Sequence, residues 1–235
     1  GRTHQIRVHA QLGLGTPAGQ QICNHLADLR GQAGLLGLLL AQHRGAMRFQ
    51  DFQQALAETR PDAVSINTWP NSHAELALRA MDAGCTAMKL KVGSKDPERD
   101  LRRARIVREV AGPDARIMVD ANQQWTLPQA LDICARLKEI NPFWIEEPTH
   151  PDDIIGHKTL ADSIAPVKLA LGEHVPNRVI FKNYLQVECA GFIQVDAVRV
   201  AGVSEFLAVS IMCRKFGVPV VPHVGDMGQL HQHLV

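Results

Sequence analysis

Six apolar runs in this sequence carry, at or beside their ends, a side chain that can move a proton or hold a cation. Lys89 and Lys91 stand in "MKLKVG", Asp120 ends "IMVD", and Glu146 follows "FWI". Glu173 follows "LALG", Asp196 follows "IQV" and His223 follows "VVP". Three carboxylates on consecutive runs, if brought together, form a cluster of oxygen anions that needs a cation. Hard carboxylate oxygens with no cysteine or histidine at zinc spacing point to Mg²⁺ rather than a softer metal. The two lysines are two residues apart, so on a strand both face the same way. A lysine held near a cation and away from water has a lowered pKa and can act as a base. Asp196 could fix the tautomer of His223, giving a second proton-transfer group.

Each residue also has a plainer use. A carboxylate after a strand commonly caps the next helix, and a lysine pair commonly faces solvent. A lone histidine is more often structural than catalytic. What weighs against these uses is the shared position, and that position depends on the elements around it.

After residue 60, short apolar runs alternate with longer amphipathic ones. Strands are expected at 63–66, 88–92, 116–119, 143–145, 167–171, 193–195 and 218–221. Helices are expected at 73–83, 98–111, 128–140, 178–189 and 203–216, the third with Pro128 at a helix-opening position. Strand–helix alternation implies a parallel sheet. The functional side chains recur about every 23 to 29 residues, one β/α unit per interval. The fold class is therefore α/β, and the run of units favours an incomplete (β/α)8 TIM-type barrel of about seven units, spanning 61–235, over a doubly wound sheet, a choice that periodicity alone does not decide. In such a barrel every strand end opens on one mouth, where active sites lie. Residues 1–60 form an N-terminal segment of irregular, helical character, with helices expected over 20–30, 35–42 and 49–59, the first two weakened by glycines.

Composition removes several function classes. Lysine plus arginine number 25 against 24 acidic residues, a net charge of +1, which supports neither a nucleic-acid binder nor a polybasic membrane anchor. The 46% hydrophobic content can build a core and excludes disorder as the main state. The longest apolar stretch, Leu35–Ala41, is far short of the roughly 20 residues a membrane helix requires. Five dispersed cysteines without a C-x-x-C spacing fit a reducing compartment, and Gly1–Ala10 has no apolar leader core, so a cytoplasmic location is expected, or a mitochondrial one in a eukaryote. Gly1 in place of methionine reads as a fragment or processed form.

The strings "KLKVG", "VDANQQW", "WIEEPTHPDDIIGH", "GEHVPNRVIFK", "QVDAVRVAGV" and "KFGVPVVPH" resemble the mandelate racemase branch of the enolase superfamily. Within it, the second of the two long runs, "GEHVPNRVIFKNYLQ", together with "WIEEPTHPDDIIGH", is particularly similar to L-fuconate dehydratases. The resemblance covers roughly residues 83–235. It implies that Asp120, Glu146 and Glu173 bind Mg²⁺, that Lys91 and the His223–Asp196 pair are acid/base groups on opposite substrate faces, and that Lys89 neutralises the substrate carboxylate. It also implies an N-terminal capping domain and an eighth strand, neither of which is visible in this sequence. Two further echoes cover less. "GRTHQIRVH" is similar to a motif of RNA pseudouridine synthases but has no aspartate nucleophile upstream. Residues 60–84 resemble a strand–helix unit of the glucose-fructose oxidoreductase family, without its glycine-rich phosphate loop.

The expected function is a Mg²⁺-dependent acid-sugar dehydratase of the L-fuconate type, acting on a small sugar acid with no nucleic-acid or membrane partner. Open sheet edges favour self-association into a homo-oligomer. A racemase or epimerase of the same superfamily is the close alternative, and a non-catalytic truncated relative is the alternative from another class.

Overall fold

A computed structural model describes the strands at 5–9, 23–25, 38–42, 45–49 and 63–67, then residues 79, 81, 82, 84–223, 231 and 234. The chain divides into two compact units. The first is Gly1–Lys91 with Arg102–Ile117, and the second is Val92–Leu101 with Met118–Val235.

In the first unit, β1 (Gln5–His9) pairs antiparallel with β5 (Ala63–Asn67), and β5 pairs parallel with β6 (Ala87–Lys91). A separate antiparallel sheet joins β2 (Cys23–His25), β3 (Leu38–Gln42) and β4 (Gly45–Phe49) in that order. This corrects the helical reading of the N-terminal segment. Residues 23–25 and 38–42 are strands where helices were expected, and 49 ends a strand. The run Leu38–Gln42 is short and glycine-flanked, so its apolar content suits a ladder on Gly45–Phe49 better than a helix that would have to carry glycine. The rest of the helix expected over 49–59 lies outside the described residues, as does most of that over 73–83. On β6, Met88 and Leu90 are buried while Ala87, Lys89 and Lys91 are half-buried, the period of two that a strand imposes. Helix α1 (Pro97–Ala111) carries in its last turn Arg108, whose Nη1 donates to the carbonyls of Gly112 (2.8 Å) and Ala115 (2.8 Å) and so ties down the helix end.

The second unit is the alternating part. The end of β7 (Arg116–Asp120) pairs parallel with β8 (Trp144–Glu146), β8 with β9 (Lys168–Leu171), and β9 with β10 (Phe192–Ile193). Next to β10 the ladder thins to a single parallel bridge, Ile193 to Val220. The Val221 amide donates to the Ile193 carbonyl (2.8 Å) and the His223 amide to that of Val195 (3.1 Å). The seventh expected strand is therefore one bridge with flanking bonds.

Between these strands stand α2 (Leu127–Leu137), α3 (Ile154–Ile164), α4 (Arg178–Gln186) and α5 (Val203–Phe216). Helix α2 opens with a capping box of Thr126 and Gln129, with Pro128 between them. Asn177 caps α4 by accepting from the amides of Val179 (3.0 Å) and Ile180 (3.3 Å). Ile117, Val119, Ile145, Leu169, Leu171 and Ile193 share one face of the sheet and are each at most 1% exposed, and Asp120, Glu146 and Ala170 on the other face are fully buried, so the strands are covered on both faces. Cys134, Cys189 and Cys213 are free thiols, and they and Cys85 are buried. No helix among the described residues is long and apolar enough to cross a membrane.

Candidate active site

Parallel register puts strand ends side by side. Asp120 is the last residue of β7 and Glu146 the last of β8, and the two are direct ladder partners. Glu146 is in turn paired with Ala170 on β9, and the chain runs three residues further to Glu173. That short path requires Gly172. Its φ is +133°, and an added Cβ would lie 2.7 Å from a Phe181 ring carbon and 3.1 Å from the Gln194 amide nitrogen.

Asp120 and Glu146 are fully buried and Glu173 is 5% exposed. One carboxylate oxygen from each lies within 4.8 Å of the others. Asp120 Oδ1 accepts from the Asn122 amide (3.0 Å), and Glu146 Oε2 accepts from Trp144 Nε1 (3.0 Å). Glu173 meets basic side chains. Arg199 Nη1 donates to its carbonyl (2.9 Å) and to Oε1 (3.2 Å), and His223 Nε2 lies 3.3 Å from Oε2. Three buried carboxylates this close repel one another, and their donor set of hard oxygens suits a divalent cation such as Mg²⁺. A second set, Glu147, Glu173 and His174, is equally close.

Beside the carboxylates stands a histidine pair. His223, 8% exposed, donates from Nδ1 to Asp196 Oδ2 at 2.9 Å. Asp196 is fully buried, and its Oδ1 accepts from the Val198 amide (2.8 Å). Burial resists ionisation of Asp196, but the hydrogen bonds from His223 and the Val198 amide outweigh it and hold the carboxyl well below its ordinary range. With Nδ1–H fixed on an ionised aspartate, His223 presents Nε2 towards Glu173.

Asp120, Glu146, Glu173, Asp196 and His223 thus fall in one unit and one neighbourhood. Lys89 and Lys91 belong to the first unit, half-buried on one face of β6, with the Lys91 carbonyl accepting from Arg103 Nη2 (2.9 Å). The sequence reading missed four members of the surroundings: Glu147, His174, Arg199 and His231. The first two adjoin named residues in "EEPT" and "GEH", and the third lies three positions after Asp196 in "VDAVR", so proximity in sequence was the available signal. His231 had none. It is 2% exposed, and its Nε2 accepts from the Ala197 amide (2.9 Å).

Residues 72–234 match the family model described as "Enolase C-terminal domain-like". The chain is 40% identical over 191 residues to human (Homo sapiens) mitochondrial enolase superfamily member 1, covering 78% of this chain and 43% of that protein. It is 45% identical over 166 residues to L-galactonate dehydratase of Hypocrea jecorina, covering 68% of this chain and 37% of that one. A racemase from Streptomyces coelicolor A3(2), solved with bound magnesium, superposes with a TM-score of 0.62 at 28% identity, over 66% of this chain and 46% of its own. The chain therefore spans less than half the length of these relatives. Its alternating strands and helices form part of the (β/α)8 barrel that such proteins carry. The match over most of its length, with a strand-end carboxylate cluster in the matched region, makes this chain a member of the enolase superfamily.

Proposed function

We propose that this chain carries the barrel portion, residues 61–235, of a Mg²⁺-dependent acid-sugar dehydratase of the L-fuconate type. The observation that carries the reading is the convergence of Asp120, Glu146 and Glu173 within 4.8 Å beside the His223–Asp196 pair. The names of the relatives add support, since three are dehydratases of sugar acids: L-galactonate dehydratase, L-talarate/galactarate dehydratase and arabinonate dehydratase.

Asp120, Glu146 and Glu173 would hold Mg²⁺. When bound, it stabilises the negative charge that develops on the substrate's carboxylate. Lys91 takes the proton from carbon 2, beside that carboxylate, and Lys89 neutralises carboxylate charge. His223, protonated and oriented by Asp196, gives its Nε2 proton to the hydroxyl on carbon 3, which leaves as water. The carbon 2–carbon 3 enol then gains a proton at carbon 3 and becomes a 2-keto-3-deoxy acid. Asp196 keeps its charge throughout, and its hydrogen bond to Nδ1 holds the ring in place and fixes the tautomer after transfer. The name of the human relative suggests a mitochondrial location, and a cytoplasmic one is the other proposal.

The test is incubation with L-fuconate and L-galactonate, with Mg²⁺ and with chelator, reading 2-keto-3-deoxy acid chemically and α-proton exchange by NMR. Mg²⁺-dependent keto acid supports the dehydratase. An epimer without keto acid supports the racemase reading, to which the Streptomyces coelicolor structure lends its name. Neither product would leave the truncated, non-catalytic alternative.

A further inference from the structure

Two adjacent glutamates leave β8 for different company. Glu146 groups with Asp120 and Glu173, and the mechanism above uses it. Glu147 has no part in that mechanism, yet it is 2% exposed and sits at φ +40°, a left-handed backbone that L side chains rarely adopt. A buried carboxylate and a strained backbone persist only where the surroundings over-determine them.

The surroundings are the loops after β7 and β9. The Glu147 carboxylate accepts from Gln123 Nε2 (3.0 Å) and from His174 Nδ1 (2.8 Å). The main chain adds a tie on each side. The Gln123 amide donates to the Glu147 carbonyl (2.7 Å), and the Glu147 amide donates to the Ala170 carbonyl on β9 (3.2 Å). Gln123 lies three residues beyond Asp120, and His174 adjoins Glu173. One residue next to Glu146 therefore grips the two segments that deliver the other two carboxylates.

We propose that Glu147 is a positioning residue that clamps the loops after β7 and β9, keeps Asp120 and Glu173 at their spacing from Glu146, and so sets the affinity of the three for a divalent cation. The inference rests on the reading of Asp120, Glu146 and Glu173 as the cation ligands. Groups that orient metal ligands commonly contribute 10- to 100-fold in affinity, so removing the clamp weakens binding by about that factor.

The experiment is calorimetric titration of Mg²⁺ into the full chain and into Glu147→Ala, Gln123→Gly, His174→Ala and Asp120→Asn, with thermal unfolding of each. Gln123 has φ +62°, so glycine there relieves strain while deleting one arm of the clamp. A role in stability alone predicts an unchanged affinity for Gln123→Gly, whereas the clamp predicts weaker binding at an equal or higher unfolding midpoint. If Glu147→Ala does not fold, Gln123→Gly and His174→Ala carry the test. Affinities within threefold of the parent in these variants overturn the clamp alone. Binding lost in Glu147→Ala but intact in Asp120→Asn makes Glu147 a ligand, and that overturns it too. No binding by the parent sinks the ligand reading itself, and the clamp with it.

Discussion

Gly172 is the tightest point in the chain segment that delivers Glu173, and Gly172→Ala measures how tight. The added Cβ would meet a Phe181 ring carbon at 2.7 Å and the Gln194 amide nitrogen at 3.1 Å. Phe181 is fully buried, and the Gln194 amide is fixed by its bond to the Leu171 carbonyl (2.8 Å), so neither neighbour yields freely. Overpacking of this kind costs about 1–3 kcal/mol. The backbone at φ +133° adds about 1–3 kcal/mol for a residue with a side chain. The lower entropy of the unfolded alanine chain returns only about 0.4–1 kcal/mol. The net loss is therefore about 3 kcal/mol, a large share of a typical stability of about 5–15 kcal/mol. Gly217 is the control in the same unit. It has φ +71° after α5 with nothing within 4 Å of an added Cβ, so Gly217→Ala should cost only about 1 kcal/mol. Urea unfolding followed by tryptophan fluorescence compares the two. A loss at Gly172 no larger than that at Gly217 would refute the steric argument.

Two predictions concern the proton-handling groups. The folded Asp196 carboxyl ionises below its ordinary value of 3.8, so the stability it contributes is complete above that pH and is lost as the pH falls beneath it. Asp196→Asn should lower stability at pH 6 and flatten the decline between roughly pH 4 and 2; urea midpoints across that range check it, and an unchanged acid slope contradicts it. Lys91→Ala and His223→Asn should each abolish turnover with unfolding midpoints near the parent's, while α-proton exchange survives His223→Asn and not Lys91→Ala. The opposite exchange pattern would reverse the two roles.

The β/α units are legible in the sequence because each strand is a short apolar run closed by a charge, and each helix carries a stripe or a cap. Val203–Phe216 is observed at the expected bounds, and Pro97–Ala111 begins one residue early. Helix α3 escaped specific notice. Its sequence, "IIGHKTLADSI", holds a glycine in its first turn, and the reason is structural: an added Cβ on Gly156 would lie 2.2 Å from the Asp153 carboxylate that caps the helix. The N-terminal strands were misread because a five-residue apolar run has no period long enough to distinguish strand from helix. The strand-end positions of Asp120 and Glu146 could be read from pattern, since register follows from parallel pairing. The left-handed turn at Glu147 and the reach of Arg199 to Glu173 could not, because both are products of loop conformation rather than of period.

The central claim is that Asp120, Glu146 and Glu173 together bind Mg²⁺, and the most direct measurement is thermal unfolding of the full chain as Mg²⁺ is added. A ligand at about 100 times its dissociation constant stabilises the folded state by about 2.7 kcal/mol. For a chain of this size that raises the unfolding midpoint by about 5–10 °C. The account predicts this rise in the parent, its saturation with Mg²⁺, and its loss in Asp120→Asn, Glu146→Gln and Glu173→Gln. A midpoint unmoved by Mg²⁺, or one that rises equally in all three variants, would contradict it.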